Sequence, residues 1–359
     1  MVRVLSRLTA PVLRPTVRSL HGWALAAMIS NAVVISTGAA VRLSSSGLGC
    51  PDWPACTKSS AVAADSSGQT LLNSWIEFGN RLLNFPLVAI AGLAFIAFFL
   101  WHRQQKAAGA AGRKDLVWLA AVLPLGVCAQ AVIGGIVVLT KLNPALVSVH
   151  FLLSTAIILT CAVVLHARTV ALEKASVAGA GNRAGAEPTT SGTAPGVRID
   201  LRVLAGLLTA VTALMLAAGT IVTGTGPLAG TEIDSHGHLK TVPRFHFSLE
   251  SVTQLHADIG WFIGALAVAL VVGLRYSGAP RRTVRHGWVV LVGLGLQGVI
   301  GYVQYFNHLP AGLVWVHVSL AVLLWINVLQ LYLSTTVGLR PTATPSVAVP
   351  SSSAAVPAP

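Results

Sequence analysis

Long apolar stretches alternate with short polar segments along nearly the whole chain. A membrane-spanning helix needs about 20 mostly apolar residues, because each residue advances the helix by about 1.5 Å. Eight stretches meet this length, and the pattern predicts spanning helices at 21–41, 75–100, 116–140, 145–167, 203–223, 252–274, 286–306 and 313–335. Segment 168–202 is predicted to be a flexible linker and segment 336–359 a disordered tail, because Gly, Ala, Ser, Thr and Pro dominate them.

Composition agrees with a polytopic membrane protein. Of the 359 residues, 54% are hydrophobic and only 10% are charged, whereas a soluble domain is about 25% charged. A soluble globular protein of this length would need more polar surface, and the low charge also excludes intrinsic disorder. The sequence therefore predicts an all-α membrane protein with eight transmembrane helices.

The formal net charge of +13 has two interpretations, nucleic-acid binding or a cytoplasmic excess of Lys and Arg. Most of the basic residues lie in the segment 1–20 and after spans two, four, six and eight, which all fall on one side of the membrane. That side is predicted to be cytoplasmic, with both termini inside, and no basic stripe remains for nucleic acid. Segment 1–20 also resembles a mitochondrial transit peptide, but we favour the cytoplasmic flank of the first span.

The chain contains an internal repeat. Residues 130–153 and 297–320 align without a gap at an offset of 167, with ten of 24 positions identical, including Gln130/Gln297 and His150/His317. This predicts two tandem four-helix bundles, 21–167 and 203–335, in the same orientation and related by an axis along the membrane normal. A weaker alignment of spans two and six places Asn80 opposite His256.

Three histidines, His150, His256 and His317, lie at similar depth in spans four, six and eight, near the predicted outer face. A single membrane histidine is usually a hydrogen-bonded core residue, but three at one depth favour a ligand site, since ionisable groups in spans are costly. Neutral imidazole is a common ligand of haem iron. No CxxCH sequence occurs, so a haem would be held non-covalently.

Glu77, Asn80 and Arg81 lie on one face at the start of span two. Two interpretations stay open for them. In the first, Glu77 and Arg81 form a local ion pair that lowers the cost of insertion into the membrane. In the second, Glu77 handles protons beside a ligand pocket while Arg81 approaches a haem propionate.

Cys50 and Cys56 lie in the first outer loop, 42–74, within the sequence CPDWPAC. Because that side of the membrane is oxidising, the pair is predicted to form a disulfide. The bond is either a structural staple or a redox-active pair.

Several of these motifs resemble the haem A synthase family, in its bacterial branch. They are GAAVRLSSSGLGCPDWPAC at 38–56, IEFGNR at 76–81, GGIVVLT with PALVSVHF at 134–151, QLHADIGW at 254–261 and LPAGLVWVHVSLA at 309–321. The resemblance implies an oxidoreductase that converts the C8 methyl of haem o to the formyl of haem a, by two successive hydroxylations and loss of water.

The family resemblance also implies roles for individual residues. His256 and His317 would be the axial ligands of a haem b cofactor, and His150 would ligate or adjoin the iron of the substrate haem. Glu77, His150, Asn80 and Arg81 form the expected catalytic set. The family often has His where Asn80 stands, so a substrate haem here would be five-coordinate through His150.

The expected partners are haem o, haem O synthase, cytochrome oxidase assembly proteins and the lipid bilayer, and a homo-oligomer is left open. The expected location is the bacterial cytoplasmic membrane, with the haem sites towards the outer face. The main alternative is a di-haem cytochrome b that exchanges electrons with quinone, but it would need four axial histidines. A secondary transporter, suggested by the repeat, would need broken spans with unwound centres.

Overall fold

The computed structural model describes residues 11–63, 70–183, 196–233 and 239–336. The helices that build the bundle are α1 (Val17–Leu43), α2 (Leu71–Leu82), α3 (Asn84–Ala107), α4 (Lys114–Leu139), α5 (Pro144–Leu152), α6 (Thr160–Arg183), α7 (Ile199–Thr225), α8 (Leu249–Tyr276), α9 (Arg281–Phe306) and α10 (Ala311–Thr336). Eight stretches of this helical structure are long and apolar enough to cross a membrane. The predicted all-α, eight-span architecture is confirmed.

A small hairpin lies between α7 and α8. Its strands, β1 (Thr231–Ile233) and β2 (Leu239–Thr241), pair antiparallel, with Thr231 opposite Thr241. A single turn of 3-10 helix, Pro227–Ala229, precedes β1.

Two of the eight spans are not continuous α-helices. The second span changes from α2 to α3 at Leu83, where Pro86 has no N–H to donate to the carbonyl of Leu82. The fourth span contains a π-helical segment, Leu153–Leu159, between α5 and α6. Segments of this kind occur often at functional sites, and this one begins three residues after His150.

One buried core contains side chains from both the first four and the last four spans. Its largest cluster contains side chains of α1, α3, α4 and α6 together with Leu216 of α7 and Trp325 of α10. Trp325 Nε1 donates to the carbonyl oxygen of Thr155, in the π-helical segment, at 3.0 Å. Large apolar side chains on the outside of the bundle, such as Trp118 and Leu125, are 72% and 69% exposed, as expected for surfaces that face lipid.

The predicted linker, 168–202, is helical at both ends, because α6 continues to Arg183 and α7 begins at Ile199. The part of α6 that extends beyond the predicted span contacts α1, and this contact cannot be predicted from hydropathy. Glu173 Oε2 lies 2.6 Å from His21 Nδ1 of α1, and His21 Nε2 lies 3.1 Å from His166 Nε2. The tail from residue 337 and the first ten residues lie outside the described part of the chain.

The repeated sequence folds into the same local structure twice. The turn between α4 and α5 places Lys141 and Leu142 at φ values of 55° and 58°, and the turn between α9 and α10 places His308 and Leu309 at 59°. Non-glycine residues rarely adopt this left-handed conformation. In each turn the second residue's N–H donates to the carbonyl five residues earlier, at 2.9 and 2.8 Å.

Candidate functional site

The imidazole rings of His256 and His317 face each other between α8 and α10. Their centroids are 6.4 Å apart and their planes are inclined at 60°. Two imidazoles that bind one metal from opposite sides would have centroids about 6 Å apart, given metal–nitrogen bonds of about 2 Å and a centroid about 1 Å behind each nitrogen. The spacing therefore fits a single metal ion between the two rings.

Small and polar neighbours define the position of each of these rings. A Cβ atom built on Gly219 of α7 would lie 3.2 Å from Cε1 of His256, and one built on Gly301 of α9 would lie 3.5 Å from Cε1 of His317. Gln297 Nε2 donates to the backbone carbonyl of His317 at 3.1 Å. Glycine thus leaves the space that each ring fills.

His150 has the same neighbours as His317. A Cβ atom built on Gly134 of α4 would lie 3.3 Å from Cε1 of His150, and Gln130 Nε2 donates to the carbonyl of His150 at 3.1 Å. The Nδ1 atoms of all three histidines are buried without a hydrogen-bond partner in the described structure. Among the described residues, no group of three or more His, Cys, Asp or Glu is placed to hold a metal ion.

Asn80 lies next to a glycine of α1, as His256 lies next to a glycine of α7. Its Nδ2 atom lies 4.0 Å from the position that a Cβ atom on Gly38 would take, as the ring of His256 lies against Gly219. The Oδ1 atom of Asn80 is buried and has no partner within the described ranges. This contact favours the weaker alignment, in which Asn80 and His256 are counterparts, and it places an amide where the other half has an imidazole.

Glu77 is buried, with 5% of its surface exposed. Its Oε1 atom accepts from Arg81 Nη2 at 2.6 Å, and its Oε2 atom accepts from the backbone N–H of Cys50 at 2.8 Å. The ion pair between Glu77 and Arg81 is therefore present, and it also holds the loop that follows α1.

The guanidinium of Arg81 is fully hydrogen-bonded. Besides its two bonds to Glu77, it donates through Nη1 to the carbonyls of Asp52 and Ala55, at 3.0 and 3.2 Å, and through Nη2 to the carbonyl of Cys50 at 2.7 Å. A guanidinium has five N–H donors, and all five are used here. The predicted contact of Arg81 with a haem propionate would have to replace one of them.

The disulfide between Cys50 and Cys56 is confirmed, with an S–S distance of 2.02 Å. The loop lies close against α2. Ser74 Oγ donates to the carbonyl of Gly49 at 2.8 Å, and a Cβ atom on Gly49 would lie 2.5 Å from the carbonyl oxygen of Asn73. Only glycine permits this approach of backbone to backbone.

Trp53 connects the disulfide loop to the helix beside His150. A Cβ atom built on Gly135 of α4 would lie 2.5 Å from the Trp53 indole, and the preceding residue, Gly134, is the one that contacts the ring of His150. Contacts therefore run from Glu77 through the disulfide loop and Trp53 to α4. Sequence reasoning did not single out Trp53, although its position between two prolines in the loop was visible.

Arg42, near the end of α1, is a further site residue that sequence reasoning missed. Its Nε atom donates to the carbonyl of Ala229 at 3.2 Å, and its Nη1 and Nη2 atoms donate to Oγ1 and to the carbonyl of Thr223, both at 3.3 Å. These bonds join the end of α1 to the end of α7. We call this end of the bundle, from which the loop with Cys50 also leaves, the disulfide end. An arginine at the predicted outer end of a span runs against the positive-inside rule, and that was the available signal.

The fold and the site define a class: a polytopic helical membrane protein with imidazoles placed between its helices and a disulfide-bonded loop at one end. The chain belongs to the COX15-CtaA family of cytochrome oxidase assembly proteins, which matches residues 21–329. The family resemblance seen in the sequence is thereby confirmed.

Proteins named heme A synthase are among the relatives of this chain. It is 29% identical to heme A synthase of Lysinibacillus sphaericus (strain C3-41) over 137 residues, which are 38% of this chain and 40% of the relative. It is 30% identical to heme A synthase of Geobacillus kaustophilus (strain HTA426) over 118 residues, 33% of each. The similarity thus spans less than half of the length of these relatives.

Proposed function

We propose that this chain is a haem A synthase, which oxidises the C8 methyl of haem o to the formyl of haem a. One observation carries the proposal. The same framework of glutamine, glycine and histidine occurs around His150 and around His317, but among the described residues only His317 has another imidazole opposite it. One site is therefore suited to a tightly ligated cofactor, and the other leaves one side of a bound haem iron without an imidazole.

His256 and His317 would hold haem b, and the spacing and the buried, partnerless Nδ1 atoms of both rings support this assignment. Haem b, when bound, would supply one-electron transfer. His256 and His317 together would hold the cofactor, so this half of the protein would carry electrons and the other half would bind the substrate.

His150 would hold the iron of the substrate haem o, with Asn80 near the opposite side. An amide is a poor iron ligand, so the iron would be five-coordinate, as inferred from the sequence. The buried Oδ1 atom of Asn80 has no partner in the described part of the chain, and it could accept a hydrogen bond from water or from a hydroxylated substrate. Asn80 would then orient a polar group at the site.

Glu77 would receive protons as the methyl group is oxidised. Overall, a methyl group and the oxygen atom of one water give a formyl group, four protons and four electrons, and the electrons would pass to an external electron acceptor. The carboxylate of Glu77 is buried and is held by Arg81 and by the Cys50 amide, so its position relative to the disulfide loop is fixed.

The membrane context extends the proposal. Two tandem bundles, residues 21–167 and 203–335, would lie in the bacterial cytoplasmic membrane with both termini inside and the disulfide end outside. Haem o would arrive through the bilayer from haem O synthase, and haem a would pass to cytochrome oxidase through assembly proteins. The disulfide holds the loop against Glu77 and Arg81, which favours a structural role, and redox exchange stays an alternative.

Pigment analysis tests the reaction. The chain would be expressed together with a haem O synthase, and the extracted haems would be separated. We expect haem a with the native chain, and haem o alone with Glu77→Ala. Glu250→Ala is a matched control, because Glu250 lies in the first turn of α8 and outside the proposed site. Accumulation of haem o alone with the native chain would contradict the proposal and favour a di-haem cytochrome b that only transfers electrons.

A further inference from the structure

Arg42 and Arg81, both at the disulfide end, have different electrostatic surroundings. Arg81 is paired with the carboxylate of Glu77 at 2.6 Å, and its five N–H groups are all used. Arg42 donates only to neutral oxygen atoms, those of Ala229 and Thr223. Within the described ranges, no carboxylate forms a salt bridge with Arg42, and two of its five N–H groups have no partner.

Arg42 also lies close to both candidate haem sites. The hydroxyl of Thr223, which binds Arg42, donates to the carbonyl of Gly219 at 3.2 Å, and Gly219 is the residue against which His256 packs. On α1 itself, Gly38 precedes Arg42 by four residues and faces Asn80. Since one helical turn is about 5.4 Å, Arg42 lies about one turn from each site, on the side of the disulfide end.

The half-buried guanidinium of Arg42 would be stabilised by an anionic partner. An ionised group removed from water is costly unless it is paired. A guanidinium presents its N–H groups as a planar fork that matches a carboxylate. Haem carries two propionate carboxylates on one edge, opposite in charge to Arg42.

We propose that Arg42 is the counter-ion of a propionate of the haem held between His256 and His317. The inference rests on the proposed function in so far as that function requires a haem at this pair. It gives Arg42 a propionate contact of the kind that the sequence suggested for Arg81 beside Glu77, where all five N–H groups of Arg81 are already bonded. It also orients the haem, with its propionate edge towards the disulfide end.

The test compares haem b with its dimethyl ester, in which both propionates are neutral. The purified full chain, freed of haem, would be titrated with each compound, and the dissociation constants would be read from the absorption spectrum of the bis-imidazole complex. The measured quantity is the dissociation constant of the ester divided by that of haem b. Any general effect of the ester on partitioning into detergent is the same for every variant and cancels between them.

In Arg42→Gln we expect this ratio to fall by about tenfold or more relative to the native chain, because the ester and the substitution remove the same contact. Arg42→Lys keeps the positive charge but loses the planar fork, so its ratio should lie between those of the native chain and of Arg42→Gln. Lys58→Gln is the matched control, since it removes an exposed positive charge from the loop that contains the disulfide, at the same end of the bundle, and it should keep the native ratio. The reduction potential of the bound haem should also become more negative in Arg42→Gln, because a nearby positive charge is lost.

The outcomes separate this inference from the proposed function. A native ratio in both Arg42→Gln and Arg42→Lys overturns the inference and leaves Arg42 as a tie between α1 and α7. If Arg42→Gln does not fold, Arg42→Lys alone decides, and a native ratio in it overturns the inference. If the native chain binds neither haem b nor the ester, the proposed cofactor site fails, and the inference fails with it.

Discussion

His256 and His317 lie on different helices, and their imidazole rings face each other with centroids 6.4 Å apart. We therefore expect the purified protein to bind a six-coordinate, low-spin b-type haem. His256→Ala and His317→Ala should each remove that absorption spectrum, because each deletes one axial ligand. His286→Ala, in the first turns of α9, should leave the spectrum unchanged. Normal haem in both of the first two variants would refute the assignment.

Gly219 leaves space for the ring of His256. In Gly219→Ala the added Cβ atom would lie 3.2 Å from Cε1 of His256, so the ring must move by a few tenths of an ångström. We expect weaker haem binding, by several-fold, with a shifted absorption spectrum. Gly264→Ala in α8 is the control, because nothing lies within 4 Å of its added Cβ atom. Both substitutions raise helix propensity by about 0.5–1 kcal/mol, so equal haem affinities in the two variants would contradict the prediction.

Arg81 holds the disulfide loop as well as Glu77. Arg81→Ala leaves the Glu77 carboxylate without its cation and three loop carbonyls without their donor. Removing one partner of a buried pair destabilises a protein by about 3–5 kcal/mol, so we expect a lower temperature of unfolding and faster proteolysis within residues 51–63. Arg113→Ala breaks an exposed pair with Asp115, and it should cost about 0–1 kcal/mol. Equal losses in the two variants would show that Arg81 does not hold the loop.

Cys50 and Cys56 should resist thiol reagents until the protein is reduced. Cys128 is exposed and Cys161 is half-buried, so Cys128→Ser with Cys161→Ser provides a background without free thiols among the described residues. In that background we expect no labelling of the native protein and labelling of two thiols after reduction, measured by mass spectrometry. Labelling without reductant would contradict the disulfide.

The sequence determined the spans and the repeat because both depend on local properties. Backbone groups inside a bilayer must bond within their own helix, so the length of an apolar stretch is enough to predict a span. The repeat was equally visible, since His150 and His317 recur at a fixed offset, and each has the same glutamine and glycine neighbours in the structure. The disulfide between Cys50 and Cys56 was predictable because the sequence placed both cysteines on the oxidising side of the membrane.

The sequence predicted less well where the helices depart from simple continuous spans. Pro86 was a visible signal for the change of helix at Leu83, but α6 runs past its predicted end because Glu173 meets His21 of α1. No window of sequence around residue 173 contains that information. The same holds for the π-helical segment, where the indole of Trp325 binds the carbonyl of Thr155 from a distant helix.

The roles of the two arginines show most clearly what only the tertiary structure decided. By sequence, Arg81 had a carboxylate four residues away, and two interpretations stayed open, a local ion pair with Glu77 or a contact with a haem propionate. In the folded chain the N–H groups of Arg81 that do not bind Glu77 donate to three loop carbonyls. Within the described ranges, Arg42 donates only to neutral oxygen atoms, those of Thr223 and Ala229. Hydropathy and spacing predict where a charge lies along a helix. Its available hydrogen bonds depend on which distant backbone comes within about 3 Å, and only packing determines that.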